Sequence, residues 1–196
     1  MRVLNVDDAE WPVLLLGGPG LPPGLIGAAG WTLLGTAILL WGLMLKERRL
    51  GERRRAVAEE NGRKARFLYE KAWDAGNLSV VNELVAANFF DHLHHRRGPE
   101  EFKRTIADLH RTFSDLSVSV EEQHVEDDTV TTRCILSGTD RGGVLWYPPT
   151  NKRASFTDTY TDRFSDGKLV EHRGESDIKS LLRQLDLSPL RGDEAP

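Results

Sequence analysis

Ala65, Leu68, Tyr69, Ala72 and Trp73 stand at i, i+3, i+4, i+7 and i+8, a spacing that predicts a helix with one buried face. Asp74–Asn77 interrupts it. Ser79 is placed to cap a second short helix whose apolar side is Val80, Val81, Leu84 and Val85. Phe89, Phe90 and the run Asp91–His95 read as an irregular connection. Gly98 and Pro99 open a third helix, since proline suits the first helical position and Glu100 and Glu101 favour the positive end of the dipole. Its stripe is Phe102, Ile106, Leu109 and Phe113.

Beyond that point the period changes to two. Leu116, Val118 and Val120 alternate with polar residues, Asp127-Asp128 turns the chain, and Val130, Thr132, Cys134 and Leu136 alternate again. Gly142-Gly143 and Pro148-Pro149 bound a connection that holds Trp146 and Tyr147. Ala154, Phe156, Asp158, Tyr160, Asp162 and Phe164 share one parity, and Asp166-Gly167 is a two-residue hairpin turn that brings Leu169–Glu175 back across them. Ile178, Leu181, Leu182 and Leu185 give a closing helix. Three helices, four strands in an antiparallel meander and a last helix predict an α+β domain with a curved sheet wrapped on its helices and a pocket between the two layers.

The N-terminal part has a different texture. No charged residue occurs from Trp11 to Leu45, and Leu25–Leu45 is 21 residues long. At about 1.5 Å per residue a helix of that length spans the roughly 30 Å core of a bilayer. Lys46–Arg55 carries six basic residues against Glu47 and Glu52, whereas the first ten residues carry Arg2 against Asp7, Asp8 and Glu10. This asymmetry predicts a single-pass membrane protein with a cytoplasmic C-terminal domain. A cleaved signal would need a basic start and a small-residue cleavage site. The basic run serves as the topology signal, with contact to anionic headgroups as the other reading. The expected organisation is a lead-in over 1–24, a transmembrane helix over 25–45, a basic helical stalk over 46–60, a folded domain over 61–187 and a tail over 188–196.

Charged residues make up 29% and hydrophobic residues 39% of the chain, proportions of a globular domain. The net charge of −4 gives no basic surplus, so nucleic acid is not an expected partner. The single cysteine, Cys134, sits in a strand pattern and reads as a small core residue.

The run Phe67–Val85, Asp91-His92, Pro149–Lys152, Glu171-His172 with Asp177, and Leu181–Leu185 together resemble the SnoaL-like polyketide cyclase (ester cyclase) family of the nuclear transport factor 2-like superfamily. The resemblance covers about residues 61–187. It implies a cone-shaped α+β barrel, a homodimer formed through the sheet, and a small apolar carbonyl-containing ligand handled without metal or organic cofactor. It further implies an intramolecular aldol condensation with a pocket carboxylate as acid/base. Asp177 stands where that carboxylate is expected, and His92 matches the histidine of the family's Asp-His pair. The family's Glu-His-Trp stretch reads Glu171-His172-Arg173 here.

These residues carry ordinary roles as well. Asp177 directly precedes a helix and suits an N-cap. Arg173 shares its strand parity, and an ion pair between them would hold Asp177 ionised. His92 is a pocket candidate or a structural hydrogen-bonding group. His92, His94, His95 and His110 lack metal-site spacing, and His94 and His95 are expected in solvent. Asp158 and Tyr160 line the pocket if their face turns inward and a dimer interface if it turns outward. Trp73 and Tyr69 read as core residues able to touch a ligand from the helix side, with His172 and Arg173 as further ligand contacts. An alternative to catalysis is a non-catalytic module that binds a small apolar ligand or a protein partner at the membrane.

Overall fold

The structure is a computed structural model that describes the backbone of residues 28–187, with side chains from residue 35. Two compact units meet at Leu50 and Gly51. A single helix, α1 (Ala28–Leu68), continues as one π-helical turn, Tyr69–Asp74. In the first unit Ile38, Leu39, Leu40, Trp41, Leu43 and Met44 are all exposed.

The transmembrane helix expected over 25–45 is not found in that form. Its first residues lie outside the described residues, and among the described residues no helix is long and apolar enough to cross a membrane. The apolar stretch instead runs without a break into the charged stalk, so Lys46–Arg55 belongs to the same helix. The expected lead-in and the tail from residue 188 lie outside the described residues.

The second unit contains α2 (Ser79–Leu84), β1 (Val85–Asp91), β2 (Arg96–Arg97), α3 (Gly98–Thr112), β3 (Ser117–Glu126), β4 (Thr129–Thr139), β5 (Arg153–Ser165), β6 (Lys168–Ser176) and α4 (Ile178–Gln184). The strands form one sheet in the order β2-β1-β6-β5-β4-β3. The antiparallel meander is present as β3 to β6. The sheet is mixed, however, because β1 pairs with β6 in parallel. The expected irregular connection at Phe89–Asp91 is therefore a strand. Its pairing with β6 shifts register between Val85 and Phe90, which breaks the alternation that would have marked it in the sequence.

Local chemistry explains the element ends. Asp166 and Gly167 both have positive φ, 50° and 72°, and join the paired residues Ser165 and Lys168, as a two-residue hairpin of this hand requires. Proline at its start and Glu100 and Glu101 in its first turn open α3. Ser79 does not cap α2. Ser79 is already the first helical residue and Leu78 the N-cap, with no side-chain cap bond; Asn77 Oδ1 accepts from Ser79 N and Oγ in the turn before the helix.

Every second residue of β5 from Ala154 to Phe164 is buried, so this parity faces the core. Trp73, Tyr69, Tyr160, Phe89 and Phe102 are the largest side chains fully enclosed there, and Cys134 is buried with them. α3 packs on β1, and α4 packs on β5.

Candidate active site

A cavity of about 260 Å³ opens between the inner face of the sheet and α3. Its wall is mostly apolar: Trp73, Leu109, Phe113, Val144, Phe156 and Leu181, with Leu93 and Leu145 at a partly exposed mouth. Polar groups enter from His94, Arg96, Thr105, Asp108, Thr112, Asp158, Tyr160 and Ser176. A wall that combines apolar surface with a set of polar groups is typical of a small-molecule site, and the volume lies just below the usual range of roughly 300–1,000 Å³.

Part of the mouth is built by the segment after β4. Asp140 is fully buried; its Oδ1 accepts from Gly143 N at 2.8 Å, and its Oδ2 accepts from Thr150 N and Oγ1, each at 2.9 Å. Gly142 lies against α3 so closely that a Cβ would stand 2.5 Å from the Arg111 carbonyl oxygen. This clasp brings Val144 and Leu145 to the cavity.

Asp158 is the central polar group. It is 4% exposed, and its Oδ2 accepts a 2.6 Å hydrogen bond from the Tyr160 hydroxyl. Oδ1 is buried with no hydrogen-bond partner. Burial pushes the Asp158 carboxyl above the usual carboxylate range, against the opposing pull of Tyr160 and Ser176. The Trp73 indole N–H is likewise buried without an acceptor.

Behind the wall lies a second buried carboxyl. Asp162 Oδ2 accepts from the Tyr69 hydroxyl at 2.6 Å, and its Oδ1 is 2.7 Å from His172 Nδ1. His172 is fully enclosed, with its ring centroid 5.0 Å from that of Tyr160, 5.3 Å from Phe102 and 5.9 Å from Trp73. Burial opposes a charge on this imidazole, but Asp162, Asp91 and Asp158 outweigh it and raise its pKa. Burial, and then Asp162, raise the Tyr69 hydroxyl well above its ordinary value. Burial also pushes the Cys134 thiol up to about 12, which marks it as an inert core group.

The structure thus brings Trp73, Asp158 and Tyr160 to the cavity and holds Tyr69 and His172 one layer behind it. It turns the remaining sequence candidates elsewhere. Asp177 is exposed and caps α4, its Oδ1 accepting from Ser180 N at 3.0 Å, and it is not part of the cavity wall. The anticipated Arg173–Asp177 pair does not form. Arg173 is 3.3 Å from Glu171 on its own strand, since Asp177 lies past the end of β6. His92 also lies outside the wall, packed on the Phe90 ring, with Nε2 3.3 Å from Glu171 Oε2 but poorly aligned for a hydrogen bond.

Sequence reasoning missed Asp91, His94 and Arg96. Asp91 is buried and holds His94 Nδ1 at 2.8 Å; Arg96 bonds Asp108 at 3.0 Å and Thr105 at 3.3 Å. The usable signal was the Asp91-x-x-His94 spacing, since an Asp that bonds backbone groups two and three residues on brings its carboxylate beside the third side chain. The four histidines are dispersed, with His110 Nε2 on the Trp73 carbonyl at 2.9 Å.

The model of the SnoaL-like polyketide cyclase family matches residues 63–185. The chain is 29% identical over 120 residues to a nogalonic acid methyl ester cyclase of Streptomyces nogalater, covering 58% of this chain and 89% of that protein. It is 27% identical over 121 residues to the aklanonic acid methyl ester cyclase DnrD of Streptomyces peucetius, covering 59% and 83% respectively. Among solved structures it is similar to a SnoaL-like protein from Jannaschia sp. CCS1, with a TM-score of 0.62, 25% identity and coverage of 68% of this chain and 96% of the other. IdmH of Streptomyces antibioticus superposes with a TM-score of 0.56 at 28% identity, covering 65% and 99%. The long N-terminal helix, six-stranded mixed sheet and short C-terminal helix are those of the nuclear transport factor 2-like fold, and the chain belongs to the SnoaL-like polyketide cyclase family.

Proposed function

We propose that the cavity carries out acid/base chemistry on a small apolar carbonyl compound, closing a ring of a polyketide-like chain by intramolecular aldol addition. The observation that carries this reading is Asp158: a buried carboxyl on the cavity wall, with one oxygen held by Tyr160 and the other unpartnered. A carboxyl kept neutral by an apolar site donates a hydrogen bond where an ionised one cannot. With Tyr160 fixing Oδ2, the neutral carboxyl carries its proton on Oδ1, the buried oxygen that no protein hydrogen bond holds; a substrate carbonyl reaches it by displacing the side chains that cover it. The apolar wall excludes water and strengthens that bond. Asp158 takes this role in place of Asp177, which is turned out as a helix cap.

Nogalonic acid methyl ester and aklanonic acid methyl ester, the compounds in the relatives' names, are the first substrates to try. The full chain, incubated with each and followed by chromatography, converts at least one to a ring-closed isomer, and Asp158→Asn slows it at least about 100-fold. No conversion by the wild type, or equal conversion by the variant, overturns the reading. Binding without conversion supports the second reading, a ligand-binding module, which the outward-facing Asp177 favours.

The exposed apolar side chains at residues 38–44 support a further part of the proposal, that the N-terminal helix holds the domain at a membrane with its C-terminal side in the cytoplasm. Recovery of the full chain in the aqueous phase of a detergent partition would contradict it. The proposed homodimer would use the outer face of the sheet, where Thr131, Thr157, Thr159 and Thr161 are half-buried; a monomeric mass by light scattering would contradict that.

A further inference from the structure

We propose that His94, aligned by Asp91, is a second proton-transfer group of this cavity and acts as the base opposite Asp158. The proposal rests on the reading of Asp158 given above.

Asp91 is fully buried at the end of β1. Its Oδ1 accepts from the backbone N–H groups of Leu93 and His94, at 2.9 and 3.2 Å, and this alone is enough to shape the turn. Oδ2 is left to the imidazole, with His94 Nδ1 at 2.8 Å. The bonds from His94 and the field of His172 overcome the effect of burial and hold the Asp91 carboxyl below its ordinary range, so it is ionised. An ionised carboxylate only accepts, so Nδ1 carries the proton of the neutral ring and Nε2 keeps a lone pair. Among the described residues no hydrogen bond to Nε2 is found, and the side chain, 39% exposed, forms part of the cavity wall. A buried carboxylate fixing one nitrogen of an imidazole that lines a ligand space is the arrangement that orients a general base.

An imidazole and a carboxyl then line one cavity, His94 and Asp158 both belonging to its wall. In the first step His94 Nε2 takes a proton from the carbon beside a substrate carbonyl, and Asp158 gives its proton to that carbonyl oxygen. A C–H bond and an Asp O–H bond break, an N–H bond and an enol O–H bond form. In the second step the enol carbon attacks the acceptor carbonyl. The enol proton returns to Asp158, the imidazolium proton passes to the new alkoxide, and both residues regain their starting forms. No oxidant, metal or co-reactant enters the balance.

The test uses the full chain with 2-tetralone in deuterated water, following loss of the α-proton signals by NMR, with saturation transfer reporting binding. His94→Gln, a change at a partly exposed ring, is expected to slow exchange at least about 100-fold while 2-tetralone still binds. Asp91→Asn is expected to slow it about 10-fold or more with binding retained. In the ¹⁵N spectrum of the wild type, neutral His94 is expected to carry its proton on Nδ1, a signature that a purely structural turn would not require. Exchange that persists in His94→Gln but fails in Asp158→Asn overturns the role of His94 and leaves Asp158 standing. A proton on Nε2 overturns it too. Binding of 2-tetralone with no exchange by the wild type overturns both.

Discussion

The hydroxyl of Tyr160 donates a 2.6 Å hydrogen bond to the carboxyl of Asp158, two residues earlier on β5, and both side chains reach the same cavity. The alternation of a strand puts residues i and i+2 on one face, and the core-facing parity of β5 then buries both. The bond satisfies one oxygen and leaves the other buried without a hydrogen bond. A polar group held this way in an apolar wall is costly to stability and useful to chemistry.

Asp158→Asn is therefore expected to stabilise the folded chain at neutral pH, by on the order of 1 kcal/mol. Burial raises the pKa of Asp158 in the fold, so its contribution is most favourable below the unfolded value of about 3.9 and is lost as pH rises through the folded value. The gain of the variant over the wild type grows across that window. Urea unfolding of both proteins from pH 4 to 8 checks the direction.

His172 supplies a second pH dependence in a separate range. Its folded pKa is raised by Asp162, Asp91 and Asp158 against the effect of burial. The stability it adds is complete below the unfolded value of about 6.5 and is lost as pH climbs through the folded one. Chemical denaturation from pH 6 to 9 is expected to show a falling midpoint, and His172→Gln a flatter one.

Asp177→Ala removes the bond to Ser180 N and is expected to cost about 1 kcal/mol of stability, the usual worth of an N-cap. Since Asp177 lies outside the cavity wall, α-proton exchange on 2-tetralone is expected to stay within about twofold of the wild type. Thermal unfolding and the exchange assay, run on the same preparation, separate the two effects.

Gly142→Ala places a methyl group where the Arg111 carbonyl oxygen already stands, 2.5 Å from the built Cβ. Backbone on both sides leaves little to yield. The expected outcome is a loss of about 1–3 kcal/mol and weaker ligand binding, as Val144 and Leu145 shift at the mouth. Calorimetry and saturation-transfer NMR read the two parts.

Much of this architecture was legible in the residues. The period-two run from Ala154 to Phe164 put Asp158 and Tyr160 on one face, and Asp166-Gly167 fixed the hairpin that follows. β1 was not legible, because Val85 continues the helical spacing of Val81 and the register shift after it hides the strand. Its parallel partner, β6, is also remote in sequence, and no local pattern announces such a pairing. Asp177 could be read both as a pocket acid and as a helix cap, because a residue at a strand end and a helix start satisfies both descriptions. Only the direction of the chain after Ser176 decides between them. His94 was set aside as a solvent residue. Its exposure is real, but the buried Asp91 that orients it becomes visible only once β1 is in place.

The most direct test of the account is the titration of the Asp158 carboxyl by ¹³C NMR in the full chain, with Asp158→Asn as the assignment control. A pKa clearly above the reference of about 3.9 is the predicted result and means a desolvated acid with a proton to give. A value at or below the reference would mean an ionised, solvated carboxylate, and would contradict the acid/base role of this cavity.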